Sequence, residues 1–234
     1  MQAQSVPKAP PAVPRLAAAA IVIAGLALAG SMAGARSAGP TSLPHPEVDA
    51  PLAAAASEES TVLSGGCFWG IQAVYQHVKG VKSAVSGYSG GAAATAHYEV
   101  VSMGITGHAE SVKVTFDPSQ ISYGRLLEIF FSVAHDPTEL NRQGPDTGSQ
   151  YRSVVFYASD DQKRIAEAYI SQLDKAAAFK HKIVTEVVPL QAFYPAEGYH
   201  QNYATLHPEN PYIAINDAPK VEHLKAQFPE LYRK

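Results

Sequence analysis

The stretch Ser60-Thr61-Val62-Leu63-Ser64-Gly65-Gly66-Cys67-Phe68-Trp69-Gly70-Ile71-Gln72-Ala73-Val74-Tyr75-Gln76-His77-Val78 changes character at a pair of glycines. Before them, Ser60 to Leu63 reads as a short strand. After them, Ile71, Val74, Tyr75 and Val78 fall at helical spacing. Gly65 and Gly66 permit a tight turn and the close approach of a neighbour. Cys67 is thereby placed at a helix N-terminus, where the partial positive charge of the helix end favours thiolate over thiol. It is the single cysteine of the chain, and Trp69 is the single tryptophan. A lone thiol can form no internal disulfide and is too few for a metal cluster. Either Cys67 is a small buried hydrophobe or it is a reactive thiol, and its neighbours favour the second.

Beyond this stretch, Val81 to Tyr88 alternates as a strand, and a Gly- and Ala-rich loop follows through Gly90, Gly91 and Ala96. Ala109 to Phe116 is another alternating strand, stopped by Asp117-Pro118. Ser122 can cap a helix through Leu126, Leu127, Ile129, Phe130 and Val133, which ends before Asp136-Pro137. A polar Gly/Pro loop covers 137–150. Tyr151 to Tyr157 reads as a strand, Ser159 or Asp160 caps a helix to about 176, and Ile183 to Val188 reads as a last strand. From Pro189 the chain reads as mostly irregular, with one turn of helix near Tyr199–Ala204. The order from 59 to 157 is strand, helix, strand, strand, helix, strand. That predicts an α+β, two-layer fold with a ferredoxin-like split β-α-β core, an appended helix and strand, and an irregular C-terminal tail.

The chain has 234 residues and the composition of a globular protein. Its first 35 residues differ. Lys8 and Arg15 precede an apolar run from Leu16 to Gly30, and Ala33-Gly34-Ala35 fits a signal-peptidase site. This reads as an export signal, with an uncleaved membrane anchor as the alternative. No cysteine follows the run, which excludes a lipoprotein anchor. Residues 36–57 are rich in Pro, Ala and Ser and read as a disordered linker. Residues 58–234 read as the globular domain, placed by the signal outside the cytoplasm, in the bacterial periplasm. Loss of 1–35 removes two bases and no acid, taking the formal charge from −3 to −5. That gives no support for nucleic-acid binding. An unpaired thiol in an oxidising compartment must have a use or be shielded.

Several short stretches are richer in functional groups than packing requires. Glu110, in Gly107-His108-Ala109-Glu110, is either a surface charge or, beside Cys67 in a partly apolar pocket, a proton donor. Tyr98 and Tyr151 are either packed aromatics or phenols that donate to a substrate oxygen. The run Gln143 to Arg152 crowds Asp146, Gln150 and Arg152 around permissive glycines, as a site wall would. Phe68 and Trp69 are either core or an apolar slot for a methyl group. His135 with Asp136, and His200 with Glu197, match no common zinc spacing.

In order along the chain stand Gly66-Cys67-Phe68-Trp69-Gly70, Gly87-Tyr88-Ser89-Gly90-Gly91, Tyr98-Glu99-Val100, Thr106-Gly107-His108-Ala109-Glu110, His135-Asp136-Pro137-Thr138, Gln143-Gly144, Gln150-Tyr151-Arg152-Ser153 and Phe193-Tyr194-Pro195-Ala196-Glu197. Together they resemble the A-type peptide-methionine (S)-S-oxide reductases, over about 58 to 212. The resemblance implies that Cys67 is the nucleophile and Glu110 the acid that protonates the sulfoxide oxygen. It implies that Phe68 and Trp69 receive the substrate's S-methyl, that Tyr98 and Tyr151 hydrogen-bond the oxygen, and that Asp146 supports them. The implied substrates are methionine-S-sulfoxide, free and in oxidised proteins. Cys67 then becomes a sulfenic acid.

This chain departs from the family's pattern in three places. It has no cysteine near the C-terminus to resolve the sulfenic acid, Ser102 stands where some members have another cysteine, and Ala96-His97 replaces the usual Asn-Pro before Tyr98. No cofactor is expected, and regeneration requires an external reductant: a small thiol, or a thioredoxin-like or glutaredoxin-like protein. Two other classes remain open at this stage. A cysteine hydrolase would use His108 or His135 as base. A non-catalytic module would bind oxidised methionine without turnover.

Overall fold

Alternation sets the sheet. The computed structural model describes residues 42–234. The export signal read over 1–35, and the first residues of the proposed linker, lie outside them. Strands β1 (Glu59–Ser64), β2 (Val81–Ser89) and β3 (Ala109–Phe116) appear where the sequence places them. Strand β3 runs between β1 and β2, antiparallel to both, with Leu63 opposite Val112 and Tyr88 opposite Glu110. Two short strands, β4 (Arg142–Gln143) and β5 (Asp146–Thr147), pair as a separate ribbon. Strand β6 (Val154–Tyr157) pairs antiparallel with β1, which completes the split β-α-β sheet. Strands β7 (Glu186–Pro189) and β8 (Tyr194–Pro195) extend its two edges, giving the order β7-β6-β1-β3-β2-β8.

One face of the sheet carries the main core. Leu63, Tyr88, Val112, Val114, Phe116 and Val155 lie there under helices α1 (Phe68–Gln76), α3 (Tyr123–Ile129) and α4 (Asp160–Lys175). The short helix α2 (Tyr98–Val101) belongs to the loop between β2 and β3. A smaller cluster of Val62, Ala109, Val154 and Phe156 covers the other face. The expected caps form: Ser122 Oγ accepts from the Arg125 N–H, and Ser159 Oγ from the Gln162 N–H. Helix α3 runs on into a wider π turn over Phe130–Ala134. Among the described residues no helix is long and apolar enough to cross a membrane.

Several expectations need correction. The strand read over Ile183 to Val188 is β7, which begins at Glu186 and is followed by β8, and the loop read over 137–150 holds the β4–β5 ribbon. The strand read from Tyr151 begins at Val154, because Ser149–Tyr151 is a 3-10 turn that aims Tyr151 elsewhere. The tail from Pro189 is not mostly irregular: beyond β8 and α5 (Tyr203–Leu206) it holds α6 (Ala218–Gln227). Within α6 only Leu224 is buried, so no apolar stripe announced it. Residues 42–57, read as disordered linker, lie along the domain. Leu43, Val48 and Ala50 pack on the core, and Tyr169 Oη donates to the Pro44 carbonyl at 2.9 Å. Asp49 accepts the Gly124 N–H at 2.7 Å and so caps α3 from a distant segment.

Candidate active site

Two parities bring the central pair together. Cys67 is the N-cap of α1, with φ −57° and ψ 126°, held there by the turn at Gly66, whose φ is +96°. A side chain at Gly66 would meet Gln143, so only glycine suits both the backbone and the space. Along β3, Glu110 shares its face with Val112, Val114 and Phe116, which is the face under α1. Its Oε2 accepts the Phe68 N–H at 3.0 Å, so the carboxyl caps the helix that Cys67 begins.

Burial governs both groups. Glu110 is 2 % exposed, and desolvation pushes it up to about 8, with Asp146 and Asp217 adding to the rise and the Phe68 N–H opposing it. The acid therefore carries a proton at neutral pH. Desolvation likewise pushes the Cys67 thiol well above its ordinary range, and the charge of Glu110, once it ionises, and that of Asp217 push it further. The Trp69 N–H and Lys220 work in the opposite direction. The expected preference for thiolate is thus reversed at rest. The helix end does favour the anion, but a helix end is a partial charge, and it loses to the cost of burying a whole one.

Aromatic rings wall the site. The Phe68 ring lies 5.0 Å from His200 and 5.9 Å from Tyr88. Trp69 is half-buried, stacks on Tyr203 at 3.9 Å, meets Tyr212 edge-on, and donates from Nε1 to His200 Nδ1 at 3.2 Å. Tyr98 and Tyr151 both feel the charges of Glu110, Cys67 and Asp146. Tyr98 starts α2, and its N–H donates to Glu197 Oε1 at 3.0 Å. Replacement of Asn-Pro by Ala96-His97 leaves Tyr98 in this site. Asp146, from β5, accepts a hydrogen bond from Tyr212 Oη. Cys67, Phe68, Trp69, Tyr98, Glu110, Asp146 and Tyr151 thus come to one place, whereas Gln150 and Arg152, also read as site wall, donate instead to the backbone at Ser102, Ser149 and Gly107.

The sequence reading missed Tyr203, Tyr212, Asp217 and Lys220, and gave Glu197 and His200 no site role. Glu197 accepts from both Tyr98 and Tyr88, and His200 orients Trp69. Glu197, His200 and Tyr203 fall in or beside the Phe193–Glu197 motif and the expected helical turn, which point to no site role, and Tyr212, Asp217 and Lys220 carry no signal. The two histidines considered as hydrolase bases are committed elsewhere. His108 bonds the backbone at Gly91 and Ala92. His135 bonds Phe130 O and Ser153 Oγ, and burial drives it down to about 3. Neither is free to accept a proton from Cys67. Among the described residues no three His, Cys, Asp or Glu side chains gather as a metal site requires.

A family model described as peptide methionine sulfoxide reductase matches residues 59–232. Peptide methionine sulfoxide reductase MsrA 2 of Mesorhizobium japonicum is 58% identical over 179 residues, 76% of this chain and 92% of that protein. A protein of the same name from Synechocystis sp. is 50% identical over 190 residues, 80% of this chain and 89% of its own. Among solved structures, reduced Mxr1 from Saccharomyces cerevisiae superposes with a TM-score of 0.60 at 30% identity, covering 70% of this chain and 92% of that one.

Proposed function

The chain belongs to the peptide methionine sulfoxide reductases and is a thiol-dependent methionine sulfoxide reductase; from that premise we propose how its own residues divide the chemistry. Cys67 attacks the sulfoxide sulfur, and Glu110 gives its proton to the oxygen. The observation that carries this is a thiol at the α1 N-cap beside a buried carboxyl that accepts the adjoining Phe68 N–H, with burial pushing that carboxyl up to about 8.

The step balances with both groups protonated at rest. The Cys67 sulfur bonds the substrate sulfur as the thiol proton leaves; the hydroxyl then passes from the substrate sulfur to the Cys67 sulfur, the substrate S–O bond and the new S–S bond both break, and methionine leaves. Glu110 donates a proton to the departing oxygen and takes up the proton of the Cys67 thiol. The product is the Cys67 sulfenic acid, so cysteine is oxidised as methionine is reduced. A sulfoxide oxygen leaves poorly unless protonated, which is why the acid must face the thiol. Tyr98 and Tyr151 hold the oxygen, Phe68 and Trp69 receive the methyl group, and Asp146 fixes Tyr212 at the edge of the Trp69 wall. The favoured epimer is S, on the strength of the family resemblance.

Regeneration uses an external thiol, because the chain has no second cysteine. The thiol displaces water from the sulfenic acid to form a mixed disulfide, and a second thiol releases Cys67. A small thiol or a thioredoxin-like or glutaredoxin-like protein fits this role. The domain is proposed to act outside the cytoplasm on the reading of residues 1–35 alone, and N-terminal sequencing of the protein from its host tests that reading. Cleavage after Ala35 supports export with removal of the signal, whereas an intact start in a cytoplasmic fraction refutes it.

Single-turnover reduction of a peptide methionine-S-sulfoxide tests the mechanism. One methionine per chain, with Cys67 trapped by a sulfenic-acid reagent, is the expected result. Methionine formation without a trappable Cys67, or equal turnover of the R epimer, would overturn the assignment.

A further inference from the structure

Asp217 closes the π turn Ile213–Asp217 that leads into α6. Its side chain is fully buried, and Lys220, one turn further, donates from Nζ to Oδ1 at 3.0 Å. The other oxygen, Oδ2, is buried without a hydrogen-bond partner. The pair presses on Gly70 in the first turn of α1: a Cβ there would collide with Asp217 Oδ1 and stand 2.8 Å from Lys220 Nζ. Gly70 lies three residues from Cys67. A buried ion pair with one orphaned oxygen is a poor way to stabilise a fold, since apolar residues would serve as well or better. Its position on the catalytic helix suggests another use.

We propose that Asp217 and Lys220 are positioning residues of the reductase site: the pair locks α6 onto the first turn of α1, and its unpartnered carboxylate oxygen governs proton traffic at Cys67 and Glu110. The charge of Asp217 raises both groups, and Lys220 partly offsets it at Cys67. The other titratable or polar groups facing Cys67 are Glu110 from β3, the Trp69 N–H, Tyr98, Tyr151 and Tyr212. Glu110 also meets Asp146 and the Phe68 N–H, and its charge reaches Tyr88, Tyr98 and Tyr151. Asp217 itself faces Lys220, Asp146 and Tyr212. Of the carboxylates near both catalytic groups, Asp217 is the one delivered by the C-terminal segment. That segment contains no cysteine; what it brings to the site is the Tyr212 ring against Trp69 and the charges of Asp217 and Lys220.

The catalytic meaning of the pair rests on the reductase reading above, but the thiol reports on the pair without turnover, because Cys67 is the single cysteine. The test is the pH dependence of iodoacetamide alkylation of Cys67 in the full chain, with far-UV circular dichroism to establish folding. Asp217→Asn should move the alkylation midpoint to lower pH and speed alkylation several-fold at neutral pH. The double variant Asp217→Asn/Lys220→Met, which removes both charges, should move it in the same direction by less. Glu222→Gln, an exposed carboxylate on the same helix, should leave it unchanged. In single turnover, the loss of rate at alkaline pH should begin at lower pH in Asp217→Asn. A folded Asp217 variant with the wild-type alkylation profile overturns the proposal, and so does an equal shift in Glu222→Gln. If Asp217→Asn does not fold, the double variant decides alone. Failure of the reductase reading would look different: a shifted alkylation profile in a protein that forms no methionine.

Discussion

Glu110 faces the thiol because strand side chains alternate. One residue of slip in β3 would put Ala109 under α1 and send the carboxyl to the other face. With the acid placed there, Glu110→Gln should lower single-turnover reduction by about a hundredfold or more, since an amide accepts the same geometry but has no proton to give. Stopped-flow measurement of methionine formation checks this, and an unchanged rate would remove Glu110 from the chemistry. In the wild type the same rate should fall as pH rises through about 8, where Glu110 loses its proton. Gly70 offers a second residue-scale test. Ala is normally better than Gly inside a helix by about 1 kcal/mol. Here the added methyl collides with Asp217, so Gly70→Ala should lower the midpoint of urea unfolding. Cys67 and Glu110 were legible because each sits in a short run of unusual neighbours. Asp217 was not, because an aspartate before Ala-Pro in a polar tail reads as an ordinary helix start.

At the scale of elements, the site depends on where α1 begins. The turn at Gly65 and Gly66 is close on both sides: His135 packs on the first glycine and Gln143 on the second. Both partners come from segments more than sixty residues away, yet the turn itself was readable from the glycines. The arm over 42–57 shows the converse. Its composition is that of a linker, and a linker it would be without α3 and α4 to bind. The Asp49 carboxylate takes the Gly124 N–H and the Ser122 hydroxyl at the open end of α3. Asp49→Ala should therefore cost about 1 kcal/mol and lower Tm by a few degrees. Removal of residues 1–57 should lower Tm more than removal of 1–41, because the longer deletion takes Leu43, Val48 and Ala50 off the core. Equal Tm values for the two truncations would show that the arm adds nothing to stability.

For the whole molecule, a buried acid links function to stability. Glu110 rises from its ordinary 4.5 to about 8 on folding, so between those values the native state binds the proton more tightly than the unfolded chain. Its contribution is fully present below pH 4.5 and is lost as pH rises to about 8. His135 acts in the other direction: lowered from 6.5 to about 3, it gives stability above 6.5 that is lost as pH falls. Thermal unfolding of Glu110→Gln and wild type across this range separates the two. The Tm of the variant relative to wild type should increase steadily from pH 5 to pH 8. A difference independent of pH would mean that Glu110 is not held protonated in the folded protein.

Sequence pattern places the main strands and helices from 59 to 175 and the helix end at Cys67, and the family motifs single out the seven residues that converge there. These follow from local causes: side-chain period, glycine freedom, capping hydroxyls, and motifs that lie within a few residues. The raised proton affinity of Cys67 and Glu110, the docking of the arm, and the arrival of Tyr212, Asp217 and Lys220 at the site come from the folded chain. Each of these depends on desolvation or on partners distant along the chain. A thiol at a helix end is a thiolate in water and a thiol when buried among carboxylates, and burial is a property of the folded whole.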